Sequence, residues 1–244
     1  MLKITVCCCT YRRPEGLAEV VESFHRQTYP AHLRRLVILD DAGQYPGPPR
    51  GAGWKIVSGP HRFLTLGGKR NACAGIAGDW PDALAIWDDD DKYLPHALEA
   101  TAAALETAEW SRPSLVLHPS ADWSTLTTHA TGGLFHGGWG YRRQAFQAAG
   151  RYPSIDNGED QALAAKLEKI GTTQADPIAL GFAPFYIFPW GDSSPTLHLS
   201  HMGRRGYQRL AAAPRGQAVE NFAPGWARDY TQIPTDPTPR PRKF

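Results

Sequence analysis

Two rhythms of apolar positions run along the first half of the chain. Lys3 to Cys9 is a short, β-branched apolar run, the pattern of a strand buried on both faces. Pro14 then opens a stretch in which Leu17, Val20, Val21 and Phe24 fall at i, i+3, i+4 and i+7. That spacing predicts a helix with one apolar stripe, ended by Tyr29-Pro30. Leu36 to Leu39 predicts a second buried strand, closing on Asp40-Asp41. A Gly/Pro loop covers Gln44 to Gly53, and Ile56-Val57 predicts a short third strand. Gly67 to Gly78 predicts a helix of small residues. Leu84 to Trp87 predicts a strand that runs into Asp88, Asp89, Asp90 and Asp91. Pro95 opens another helix, with Leu98, Ala102 and Leu105 on one side, and Leu115 to Leu117 reads as a strand. The order βαββαβαβ predicts an α/β domain with a mostly parallel sheet covered on both faces.

The second half carries weaker periodicity. Gly132 to Gly140 is Gly-rich, and two helices are expected at Arg142 to Ala149 and Glu159 to Ile170, the latter with Leu163, Leu167 and Ile170 inward. Beyond about Ala211 the pattern fades, and the proline-rich stretch from Thr231 to Arg242 is expected to be extended or disordered. No internal repeat is visible.

Composition narrows the picture. The 244 residues are 42% apolar, which excludes disorder for most of the chain. Net charge is only +2, but from Arg204 to Phe244 there are eight Lys/Arg against three Asp/Glu. That end suits a polyanion or a solvated tail. Cys7, Cys8 and Cys9 are adjacent and Cys73 stands apart, with no CxxC pair, so a reduced, cytoplasmic setting is expected. The N-terminal apolar run is too short for a signal peptide, and Leu180 to Trp190 is too short and too broken for a membrane helix.

Ligands of open α/β sheets bind at the carboxyl ends of strands. Both acidic clusters fall there. Four consecutive carboxylates repel one another unless a cation balances them, and a hard divalent ion holding a diphosphate would do so. Asp40-Asp41 reads either as a turn before Gly43 or as an acceptor for a nucleobase N–H. Gly67-Gly68-Lys69-Arg70 opens a helix and could cradle phosphates. Gly158-Glu159-Asp160 opens a helix after Asn157, the expected N-cap; the acids suit the helix dipole, and Asp160 also suits a general base. His198 and His201 could each complete a metal shell of carboxylate and phosphate. Phe135 and Trp139, set among glycines, could wall an acceptor slot or belong to the core.

Taken in order, these segments resemble the inverting, family-2-type glycosyltransferases with the GT-A fold. ITVCCCTYRRPEGLAEVVESFHRQTYP resembles that family's first strand, loop and helix, and RRLVILDDAG its second strand and base-binding aspartate. GGKRNACAGIAGDWPDALAIWDDDDKYLP resembles its R-N helix and D-x-D-D segment, and GYRRQAFQAAGRYPSIDNGEDQALAAKL its acceptor-side helix and Glu-Asp motif. The resemblance implies a GT-A domain over residues 1–203, with a nucleotide-sugar half at 1–118 and an acceptor half at 119–203. A basic, Pro-rich extension over 204–244 would follow it.

The resemblance also implies roles. Thr10, Tyr11 and Arg12 would lie against the nucleoside, and Asp41 would accept the uracil N–H of a UDP-sugar. Lys69 and Arg70 would approach the base or diphosphate. Asp88 would face the ribose and Asp90 would hold Mn²⁺ or Mg²⁺ together with His201, His198 being the alternative. Asp160 would be the base, with Glu159 and Trp139 on the acceptor side. The acceptor would be a saccharide or other small molecule, or a hydroxymethylated base in DNA, which the Arg-rich end would suit. A non-catalytic module that binds nucleotide sugars or DNA is a further alternative. Nucleotidyl transfer fits less well, because the loop TYRRPEG lacks the glycines that reaction asks for after the first strand.

Overall fold

The computed structural model describes residues 1–47 and 49–189, and the backbone of 235–240. The first strand, β1 (Ile4–Thr10), is buried along nearly its whole length. Helix α1 (Pro14–His25) starts with Pro in its first turn and buries Leu17, Val20, Val21 and Phe24, the stripe its spacing predicts. A short 3₁₀ turn leads into β2 (Arg34–Asp40), and a small hairpin joins β3 (Arg50–Gly51) to β4 (Trp54–Ser58). Thr65 caps helix α2 (Leu66–Ala77) by accepting the Gly68 N–H. Next come β5 (Ala83–Asp88), β6 (Lys92–Tyr93), α3 (Ala97–Thr107), β7 (Trp110–Ser111), β8 (Leu115–Pro119) and β9 (Leu126–Ala130). After these stand β10 (Gly140–Arg142), α4 (Arg143–Ala148), α5 (Glu159–Lys169), β11 (Gln174–Ala175), β12 (Tyr186–Ile187) and β13 (Thr235–Arg240).

The central sheet has the order β11-β7-β10-β5-β1-β2-β4-β3, and its four longest strands, β5, β1, β2 and β4, are parallel. The α/β expectation of a mostly parallel sheet between helices holds. One apolar cluster gathers α1, α3 and one face of these strands, and a second gathers Val37, Cys73, Leu84, Ile86 and Leu163 on the other. The four cysteines are free, and Cys7, Cys8 and Cys73 are buried.

Two features depart from the sequence reading. Strand β10 enters the central sheet antiparallel to β5, although it comes from the Gly-rich segment. A second, five-stranded sheet has the order β13-β9-β8-β12-β6. It draws strands from both proposed halves, so the chain crosses between layers. Within the proline-rich stretch, residues 235–240 are extended and pair in parallel with β9 at the edge of that sheet. Proline is tolerated there because an edge strand has no outer partner to supply.

Candidate functional site

Strand register decides which loops meet. Thr10 stands beside Asp40, and Cys9 beside Asp88. The segments Tyr11–Arg13, Asp41–Gly43 and Asp89–Asp91 therefore leave the sheet side by side, at the carboxyl ends of β1, β2 and β5. Gly16 lets α1 close over this edge, since a Cβ there would meet the Asp89 carbonyl oxygen at 2.2 Å. Gly67 does the same for α2, where a Cβ would stand 1.9 Å from the Pro153 carbonyl oxygen. That contact brings the start of α2 against the chain leading to α5.

At the β2 end, Asp41 is fully covered. Its Oδ1 accepts from Lys69 Nζ at 2.6 Å and from Arg62 Nη1 at 3.0 Å, while Oδ2 accepts the Phe63 N–H at 3.1 Å. Lys69 Nζ also donates to the Thr10 carbonyl at 2.5 Å. Buried Lys69 thus ties β1 to β2 and is not presented to a phosphate, a correction to its expected role. Asp41 is likewise no open acceptor for a uracil N–H in this arrangement. Arg62, which no motif singled out, stacks over Tyr11, with its guanidinium carbon 3.4 Å from the ring centroid.

At the β5 end, protein groups already meet the four aspartates. Arg13 Nη1 reaches Asp89 at 2.8 Å and Asp90 at 3.1 Å, Arg70 Nη2 reaches Asp88 at 3.1 Å, and the Tyr186 hydroxyl donates to Asp91 at 2.7 Å. Burial raises the Asp91 pKa well above the ordinary carboxylate value, helped by Asp90 and Asp88. Burial also raises Asp89, against the pull of Arg13. Asp88 is the accessible member, its side chain 21% exposed against 6% for Asp90. The oxygen donors suit a hard divalent ion. Among the described residues no group of three potential ligands gathers, and His198 and His201 lie outside them.

Arg70 links this edge to α5. Besides Asp88 it bonds Glu159 Oε1 through Nε at 3.1 Å. Burial raises the Glu159 pKa to about 7, Arg70 opposing and Asp160 adding to the rise. Asp160 is more open; its Oδ1 accepts the Gln161 N–H at 2.8 Å, and Gln161 Nε2 bonds the Gly133 carbonyl at 3.0 Å. Trp139 is wholly buried, its ring 5.9 Å from that of Trp110 and 5.2 Å from His136. It is a core residue, not an acceptor wall. The glycines before it serve close packing: a Cβ at Gly137 would stand 2.8 Å from the Tyr186 ring and 2.9 Å from Asp91. Through Nε2, His136 beside it hydrogen-bonds the Tyr141 and Tyr152 hydroxyls, each at 3.0 Å, and burial holds its pKa well below the ordinary value.

Solved structures share this fold. TarS of S. aureus, in a structure with UDP-GlcNAc, superposes with a TM-score of 0.57 over 81% of this chain, at 15% identity. The fold is that of the GT-A-like glycosyltransferases. The mannosyltransferase PcManGT of Pyrobaculum calidifontis, in a structure with GDP-Man and Mn²⁺, matches this GT-A-like chain with a TM-score of 0.55 over 88% of its length, at 15% identity. In sequence, 113 residues are 29% identical to YwdF of Bacillus subtilis (strain 168), described as an uncharacterized glycosyltransferase; that is 45% of this chain. The chain spans 40% of YwdF, and 60% and 66% of the TarS and PcManGT chains. No family model matches it. Among the described residues no helix is long and apolar enough to cross a membrane.

Proposed function

We propose that the protein transfers a sugar from a nucleoside-diphosphate donor to an acceptor hydroxyl by a single displacement that inverts the anomeric centre. The observation that carries this reading is the Arg70 bridge, which joins Asp88 at the end of β5 to Glu159 at the start of α5. It sets a strand edge suited to a nucleotide next to the first turn of α5, which carries Glu159 and, one residue on, Asp160. The donors named in the TarS and PcManGT structures support a nucleotide sugar.

In this reading Thr10, Tyr11 and Arg12 border the nucleoside. Asp88 faces the ribose, and Asp90, with His201 or His198, would hold Mn²⁺ or Mg²⁺, which supplies charge neutralisation for the departing diphosphate. Asp160 takes the proton of the acceptor hydroxyl as its oxygen bonds the anomeric carbon. The bond from that carbon to the phosphate oxygen breaks, and nucleoside diphosphate leaves. Arg70 sits where it can respond to charge on either side of the reaction.

The test is release of nucleoside diphosphate from a panel of nucleotide sugars with Mn²⁺. Saccharide acceptors form one arm and duplex DNA bearing hydroxymethylated bases another. Release that needs metal and rises with a saccharide supports a saccharide acceptor, and release that rises only with the DNA assigns the DNA acceptor. Donor binding without turnover in any arm sinks the transferase and leaves a binding module.

A further inference from the structure

The carboxyl edge of the central sheet continues beyond β5. Strand β10 is antiparallel to both β5 and β7, so β7 runs with β5 and ends at the same edge. Arg112 is the first residue after β7 and is half-buried. Its guanidinium carbon lies 5.2 Å from the Trp110 ring centroid and 5.4 Å from that of Trp139. Both rings pack in one cluster with Leu163 and Leu167 of α5, so they hold the cation on the face of the sheet that α5 covers. Its Nη2 donates to Gln174 Oε1, a neutral partner, at 3.2 Å. Among the described residues no carboxylate pairs with Arg112, whereas Arg13 and Arg70 at the same edge are each paired with aspartates.

Gly133 connects Arg112 to the first turn of α5. A Cβ at Gly133 would lie 3.0 Å from Arg112 Nη1, so the missing side chain leaves room beside that nitrogen. The Gly133 carbonyl accepts from Gln161 Nε2 at 3.0 Å, and the same Nε2 lies 3.4 Å from Asp160 Oδ2. A cation without a counter-charge and the proposed base therefore flank one backbone unit. Such a pair suits a molecule that gives up a proton at one end and carries negative charge at the other, because complementary charge fixes which end meets which group.

We propose that Arg112 reads the acceptor, binding an anionic group, phosphate or carboxylate, on the saccharide whose hydroxyl Asp160 deprotonates. The planar guanidinium suits two oxygens of either group. The assignment rests on the transferase reading and narrows its acceptor to a negatively charged sugar.

The experiment is calorimetric titration of the full chain with glucose, glucose 6-phosphate and glucuronate, for the wild type, Arg112→Gln and Arg112→Lys. UDP and GDP with Mn²⁺ are titrated into the same preparations. The two charged sugars bind the wild type more tightly than glucose, and the tighter of them tells phosphate from carboxylate. Arg112→Gln weakens the charged sugars by about tenfold to hundredfold, the worth of hydrogen bonds to a charged group, and leaves nucleotide affinity unchanged. Arg112→Lys restores it only in part, because an ammonium offers no planar fork. Glucose binding as well as the charged sugars, or no sugar binding at all, overturns the acceptor assignment; with nucleotide still bound, the transferase reading stands. Charged sugars that bind Arg112→Gln as they bind the wild type also overturn it, placing the anion on another basic segment. Failure of both nucleotides to bind the wild type removes the transferase reading, and the acceptor role of Arg112 with it. The wild-type ranking needs no variant to fold.

Discussion

Asp41 and Glu159 are both buried carboxylates at opposite ends of one site, and their surroundings treat them differently. Asp41 receives three donors from two segments, two of them cations. Glu159 receives a single guanidinium that Asp88 shares, and Asp160 adds a like charge beside it. Burial is common to both, and the number of donors is what differs. Asp41 with Lys69 is a fixed tie between β1, β2 and α2. Glu159 titrates near neutrality and sits next to the proposed base. One end of the site is thus built as scaffold, and the other holds a carboxyl whose one cation is shared with Asp88.

The sharpest way to break this contrast is Asp160→Asn. Turnover is expected to fall about 10²- to 10⁴-fold, the usual worth of a general base, with donor binding retained. Unaltered nucleoside-diphosphate release would move the base role to Glu159. Next in size is Lys69→Met, which leaves Asp41 buried with fewer donors. Urea denaturation should show a loss of about 3–5 kcal/mol, as for other buried pairs broken on one side. A loss near zero would mean that Asp41 is not the scaffold its contacts indicate.

Glu159 makes a prediction in pH. Its pKa rises on folding from 4.5 to about 7, so the folded state holds a proton that the unfolded chain has lost between those values. Its contribution is fully present below pH 4.5 and declines as pH rises through about 7, by up to ~3 kcal/mol. Glu159→Gln should flatten that part of the stability profile; an unchanged profile would place the titration elsewhere. The smallest effect concerns Arg12→Asn. Arg12 has φ 58°, and its buried Nε and Nη2 have no hydrogen-bond partner. Asn accepts the left-handed backbone more readily and removes the unbonded edge, so stability should rise by ~1 kcal/mol in thermal unfolding. Nucleotide affinity should fall in the same variant. A loss of stability would show that the Arg12 backbone is held there for packing alone.

Much of the donor side was legible because its strands are continuous apolar runs that end in acidic residues. Leu36 to Leu39 and Leu84 to Trp87 were each found to within a few residues, and their order gave the parallel sheet. The partners of the acids were not legible. Arg62 lies in a loop without period or motif, Arg13 meets Asp89 across 76 positions, and Tyr186 meets Asp91 across 95. Four adjacent aspartates call for balancing positive charge, and Arg13 and Arg70 supply part of it from distant segments. Trp139 misled for a related reason. Glycines beside an aromatic look like a slot, but Gly137 is small because a Cβ there would run into Tyr186 and Asp91.

The second sheet left little trace either, because two of its strands, β6 and β12, are two residues long and propensity cannot mark so short a span. By itself the sequence determined the secondary elements of the donor half and the kinds of chemistry at its strand ends, since both follow from local periodicity and residue type. Tertiary structure alone decided which cation serves which carboxylate, which aromatic is core and which carboxyl is pushed towards neutrality. Those depend on distance and burial between residues far apart in the chain, and no local pattern encodes them.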